Sequence, residues 1–194
     1  MKQFILNPFI KIAGFKALAI GLVFTLFASW TAGTFSARYD GVLDIHFADQ
    51  SSFLQALYDN LINIFCLTFF FYGIAFFLCA RKPRFIDILG TSTMARAPIG
   101  LIPLTNIGNI SGGIGEKLMA QLADKSAFTL TAFEIIYLVL STLLILLIIV
   151  WYVSLLYRAY TVSTNLKGKD AVGSFIAAII LAEISSKILI YYLV

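Results

Sequence analysis

Along this 194-residue chain the apolar positions gather into long runs instead of alternating with polar ones. Ala17–Phe35 and Leu61–Ala80 carry no charge, and Ile135–Tyr157 is nearly all Leu, Ile and Val. Ala171–Val194 is apolar with only Glu183 and Lys187 charged. Each run has about the 20 residues that a helix needs to cross a bilayer core. Between the second and third lies Ile88–Ile110, where Arg96 is the only charge and Pro98 and Pro103 interrupt the helical pattern. Read as a fifth span, this stretch gives an all-α, polytopic bundle of five transmembrane helices, at about 17–37, 61–80, 88–110, 135–157 and 171–194.

Composition agrees with that pattern. Hydrophobic residues make up 60% of the chain, charged residues 12%, and mean hydropathy is +0.93. A soluble domain would carry roughly 25% charge. The whole chain therefore reads as a single integral membrane domain, residues 1–194.

The charges decide between four spans and five. With five, Lys and Arg number 3, 1, 3, 2 and 3 in successive flanks, nine on the amino-terminal side and three on the other. That alternation follows the positive-inside rule and predicts a cytoplasmic N-terminus and an extracytoplasmic C-terminus. With four, the basic Arg158–Asp170 connection would fall outside and the alternation would fail. Lys16, an apolar core and "TFSA" before Arg38 loosely resemble a signal peptide. The core is longer than the usual signal segment, so retention as a span is expected.

Local signals refine the picture. Asn7-Pro8 is a good helix opening, and Phe4, Phe9, Ile12 and Phe15 among Lys11 and Lys16 predict a short interfacial helix at about 8–16. "SSFLQALYDNLINIF" reads as a Ser-capped amphipathic lead-in to the second span. "GNISGGIGEKLMAQLADK" reads as a glycine-rich turn and a short helix. Ala17, Gly21, Thr25, Ser29 and Gly33 form a row of small residues at spacing four, which predicts close helix contact. Ser174, Ala178, Ala182 and Ser186 form a second row. The fourth span lacks such residues at its centre and is expected to face lipid most. Trp151, Tyr152 and Tyr157 are expected at its cytoplasmic interface and Tyr137 at the other, with Trp30 and Tyr39 serving the first span.

The chemistry is sparse. Cys66 and Cys79 are about 20 Å apart along one helix, too far for a disulfide. The single histidine, His46, is remote from them. No catalytic set, metal cluster, phosphate loop or cofactor motif is read, so a non-enzyme without cofactor is expected, and nucleic acid is not an expected partner. Expected partners are the lipid bilayer and other membrane proteins or a second copy. The candidate site is an intramembrane polar cluster. Arg96 and Glu183 should lie within about 6 Å in depth, with Lys187 one turn beyond Glu183. Charge at mid-membrane costs about 2.5–3.5 kcal/mol on insertion scales, so direct pairing of Arg96 with Glu183 is expected. The cluster is either a buried clasp that sets helix register, the favoured reading, or a polar site on an ion pathway. Pro98 and Pro103 would then kink the third span beside it.

Five spans, a proline-interrupted third span, "LNPFIKI", "RFIDILGTSTMARAPIGLIPL" and "YRAYTVSTNLKGKDAVGSFIAAIILAEI" together resemble the Yip1-domain family across nearly the whole chain. The compact form, with about 16 residues before the first span, is similar to the bacterial branch. The resemblance implies a bacterial inner-membrane protein with no catalytic residues, acting as a membrane scaffold or trafficking-type organiser. Eukaryotic members associate with prenylated Rab GTPases, but their acidic Asp-Leu-x-Gly-Pro-type element is missing here, so that role is not carried over. The alternative is a small transporter or channel for an ion, solute or lipid, using Arg96, Glu183 and Lys187.

Overall fold

A computed structural model describes residues 6–48, 50–125 and 127–193. The expectations placed on Lys2, Phe4, Asp49 and Val194 lie outside the described residues. The helices are α1 (Gly14–Thr34), α2 (Phe53–Leu78), α3 (Phe85–Ala95), α4 (Ile110–Ala123), α5 (Ala132–Thr164) and α6 (Gly168–Leu193). A 3-10 segment, Ala97–Asn109, joins α3 to α4. A two-residue antiparallel pairing, β1 (Ala37–Arg38) with β2 (His46–Phe47), closes the loop between α1 and α2. The molecule is all-α, and α1, α2, α5 and α6 are each long and apolar enough to cross a membrane.

The expected interfacial helix at 8–16 is not formed. Pro8–Ile10 is a single 3-10 turn, and Gly14, at φ +59°, redirects the chain into α1. That backbone angle suits glycine and opposes a longer helix through it. The Asn7 side chain makes no capping bond. Phe9 does not lie along a surface but is buried in the core. Farther on, Ser52 and Gln55 form a reciprocal capping box that starts α2, and Thr131 with Glu134 does the same for α5. The lead-in and the second span are thus one continuous helix. The predicted glycine turn is confined to Gly108 and Asn109, both with positive φ, and Gly112, Gly113 and Gly115 belong to α4.

The third expected span departs most from a regular helix. α3 stops at Arg96, because Pro98 has no N–H to give the carbonyl four residues before it and the chain turns to 3-10 bonding instead. Beyond that point the chain tightens: Arg96 N bonds Thr93 O at 3.3 Å and Ile99 N bonds Arg96 O at 3.1 Å. The 3-10 path runs through Pro103 and breaks at Asn106, Ile107 and Gly108. Pro98 and Pro103 therefore mark a change of helix type, not two kinks in one α-helix. Side chains of other helices use the carbonyls this path leaves free. Thr31 Oγ1 donates to Gly100 O at 2.9 Å, and the Tyr137 hydroxyl donates to Thr105 O.

This broken segment runs parallel to α1 along the latter's whole length. Gly90 packs on the Gly14 carbonyl, Gly21 on Thr93 and Met94, Gly100 on Ala28, and Asn106 Nδ2 reaches Phe35 O at 2.9 Å. α2 is antiparallel to α1, with Asn60 beside Ser29 and Phe53 beside Gly33. α5 is antiparallel to the broken segment, meeting Thr105 through Tyr137, Arg96 through Tyr152 and Thr91 through Ser163. α6 packs mainly on α2.

The small row of α1 is the seam of this assembly. Ala17, Gly21, Thr25 and Ser29 are buried and Gly33 is half-buried. A methyl group at Gly21 would sit 2.6 Å from Met94 N. Ser174, Ala178, Ala182 and Ser186 of α6 are likewise buried. Only 11% of the most apolar stretch of α5 is buried, against 39% in each of the other three long helices. Cys66 and Cys79 are free thiols, both buried. Two aromatic expectations are corrected. Tyr39 and Tyr152 are fully buried and lie in the core, because each phenol donates to a backbone carbonyl there: Ala28 O at 3.0 Å and Val42 O at 2.9 Å.

Candidate functional site: a polar clasp under the α1–α2 loop

The Arg96 guanidinium is 3% exposed and reaches three groups on three different segments. It donates to Asn60 Oδ1 of α2 at 3.0 Å, to the Tyr152 hydroxyl of α5 at 3.0 Å and to Val42 O of the loop at 3.3 Å. Asn60 in turn donates to Ser29 Oγ of α1 at 3.2 Å and to Ala56 O at 3.0 Å. Position follows from the local fold. Arg96 is the residue where α3 gives way to the 3-10 path, so its side chain leaves the helix where α1, α2, α5 and the loop converge.

Arg96 and Glu183 do not form the direct ion pair expected from the sequence. One peptide group lies between them. The Val42 carbonyl accepts from Arg96 and Tyr152, while the N–H of the same peptide, on Leu43, donates to Glu183 Oε2 at 2.8 Å. Gly41 leaves room for this approach, since a methyl group there would collide with the Glu183 carboxylate. Lys187 is at the surface. It pairs with Asp44 at 2.6 Å and with Glu183 at 3.5 Å, and its side chain is 48% exposed. The three predicted residues are therefore joined in series through the loop: Arg96, peptide 42–43, Glu183, Lys187 and Asp44.

A second clasp went unseen in the sequence. Asp59, within the predicted lead-in helix, is a fully buried residue of α2. Arg38 grips both its oxygens, Nε to Oδ2 at 2.7 Å and Nη2 to Oδ1 at 3.0 Å. The Asp59 bond outweighs desolvation and raises the Arg38 pKa above its ordinary value. Burial pushes the Tyr39 phenol well above its usual range, so it stays a donor to Ala28 O. Asn63, one turn beyond Asn60, donates to Tyr39 O at 3.0 Å, and its buried Oδ1 has no hydrogen-bond partner among the described residues. A signal for these residues did exist. Ala56, Asn60, Asn63 and Leu67 recur at helical spacing on one face of α2, continuing the face that packs on its neighbours.

Among the other polar side chains of the spans, Thr68 and Ser92 meet at 3.3 Å and Thr91 meets Ser163 at 2.8 Å, while Thr93 bonds its own helix at Leu89 O. Asn106 ties the 3-10 segment to Phe35 O. Ser185 is half-buried. In comparisons with protein families, curated proteins and solved structures, nothing matches this chain.

Proposed function

We propose that the protein is a non-enzymatic membrane scaffold of Yip1-domain type in a bacterial inner membrane, with five crossings, N-terminus inside and C-terminus outside. The observation that carries the scaffold reading is the use to which Arg96 is put. Its charge is spent on an amide, a hydroxyl and a carbonyl of the chain itself, beneath a loop that covers it. Such bonding ties three helices and a loop into one rigid unit and supports a clasp. The five-crossing reading draws support from the broken segment. An 11-residue α-helix and about nine residues of 3-10 path extend roughly 35 Å, enough for a core of about 30 Å. Irregular backbone at membrane depth is tolerated when protein surrounds it, and most of this segment is buried.

Purified protein reconstituted in liposomes should move no ion, solute or lipid faster than empty vesicles. A photo-crosslinker at exposed Leu140 or Leu147 of α5 should trap discrete membrane proteins in cells. Flux, with only lipid adducts, would reverse the assignment. Flux would select the second reading, a small transporter or channel. The features that favour it are two hydroxyl pairs between helices, half-buried Ser163 with Thr91 and buried Ser92 with Thr68, and the buried, unbonded Oδ1 of Asn63 on the same helix as Thr68.

A further inference from the structure

The end of the bundle opposite the clasp holds a half-open cavity of about 500 Å3 where the α2–α3 loop meets the end of α5. Arg81, Lys82 and Arg84 line it from the loop, Asp87 from α3, and Ser163 and Thr164 from α5. Three cations face one carboxylate. Lys82 is partly engaged, donating to Phe76 O at 2.6 Å and Cys79 O at 3.4 Å at the end of α2. Arg84 lies 3.7 Å from Asp87 and is largely exposed. Arg81 is exposed and, among the described residues, has no bonded partner. The amino end of α3 opens into the same cavity without a side-chain cap at Arg84, which adds backbone N–H donors and a positive dipole.

Apolar side chains border the cations. Phe77 is 83% exposed, and Leu78 and Phe85 are about half exposed. A half-open cation pocket beside exposed phenylalanines suits an amphiphile with a negative head. A basic loop alone satisfies the positive-inside rule, but it does not require a cavity of headgroup size. The geometry points to a phosphate-group site that holds the headgroup of an anionic phospholipid, its phosphate on Arg81 and Arg84 and its chains along Phe77 and Phe85. A zwitterionic headgroup would bring its own ammonium against three cations, so it should be held less well. This site lies apart from the clasp and does not depend on whether the protein scaffolds or transports.

The test uses the full chain purified in mild detergent, with native mass spectrometry to count retained lipid and thermal melting to read stabilisation. Phosphatidylglycerol should be retained, and should raise the melting temperature, at lower concentration than phosphatidylcholine. Arg81→Gln with Arg84→Gln should weaken that preference roughly tenfold or more, on the scale of surface cations acting on anionic lipid. Ser163→Leu, which keeps every cation but fills the cavity, should weaken it too. Lys167→Gln with Lys169→Gln, cations that do not line the cavity, should leave it unchanged. Equal retention of the two lipids would overturn the proposal, as would a preference unaffected by the Arg81 and Arg84 changes. Stabilisation by inorganic phosphate over chloride, without preference between the lipids, would reassign the site to free phosphate and overturn the lipid assignment.

Discussion

At the scale of single residues, the inserted peptide changes what the Arg96–Glu183 pair should do. Arg96→Met strands Asn60 Oδ1 in the interior, and an unsatisfied buried acceptor costs about 1–3 kcal/mol. Glu183→Gln still offers an oxygen to the Leu43 N–H, so its loss should be under about 1 kcal/mol. Because the groups communicate through one neutral peptide, a double-mutant cycle read by melting in detergent should show coupling below about 1 kcal/mol. A coupling near the 3–5 kcal/mol of a directly broken buried pair would place the two charges in contact. The Arg38–Asp59 pair is the direct one. Asp59→Asn should lower stability by about 3 kcal/mol, and Arg38→Met with Asp59→Leu should recover much of it. Stability of the double variant no better than that of Asp59→Asn would overturn this.

At the scale of elements, α1 and the broken segment meet through glycines because backbone approach replaces the hydrophobic drive that lipid removes. Gly21→Leu must push aside the backbone at Thr93 and Met94, since even its Cβ would lie 2.6–2.9 Å from that segment. It should therefore lower the detergent melting temperature, and the amino-terminal part of α1 should separate from α3. Gly73→Ala is the control. Nothing lies within 4 Å of its added methyl group, and removing a mid-helix glycine favours the helix by about 0.5–1 kcal/mol. Melting of the Gly73 variant should be equal to or above that of the parent. If both variants melt like the parent, the α1 seam does not hold the bundle together.

At the scale of the whole molecule, the contacts alternate direction: α1, the broken segment and α6 run one way, α2 and α5 the other. Placed in a membrane, that arrangement sets the Asp40–Asp44 loop and the Lys167–Lys169 connection on opposite sides. Single cysteines introduced at Asp40 and at Lys167 should label from outside and from inside, respectively, with an impermeant maleimide. Cys66 and Cys79 are buried and should give little background. Labelling of both new positions from the same side would reduce the crossings between them to an even number and refute the five-crossing reading.

The long uncharged runs were enough to establish an all-α membrane protein, because a bilayer core tolerates only backbone that bonds to itself and side chains that are apolar. The spacing of Ala17 through Gly33 likewise marked a contact face, since helical periodicity is local. What the runs could not disclose was the company each polar group keeps. Arg96 finds Asn60, Tyr152 and Val42 at sequence separations of 36 to 56 residues, and Glu183 finds Leu43 across 140. Nothing local encodes those meetings. The same holds for Asp59, which meets Arg38 across 21 residues, and for Tyr39, which the pattern left at an interface and the packed bundle buries. Pro98 announced a break in the third span, but the 3-10 path beyond it persists because Thr31 and Tyr137, from other helices, bond the carbonyls that an α-helix would have kept. Periodicity along one segment selects its element and its face; the partners of a buried charge depend on where distant segments come to rest.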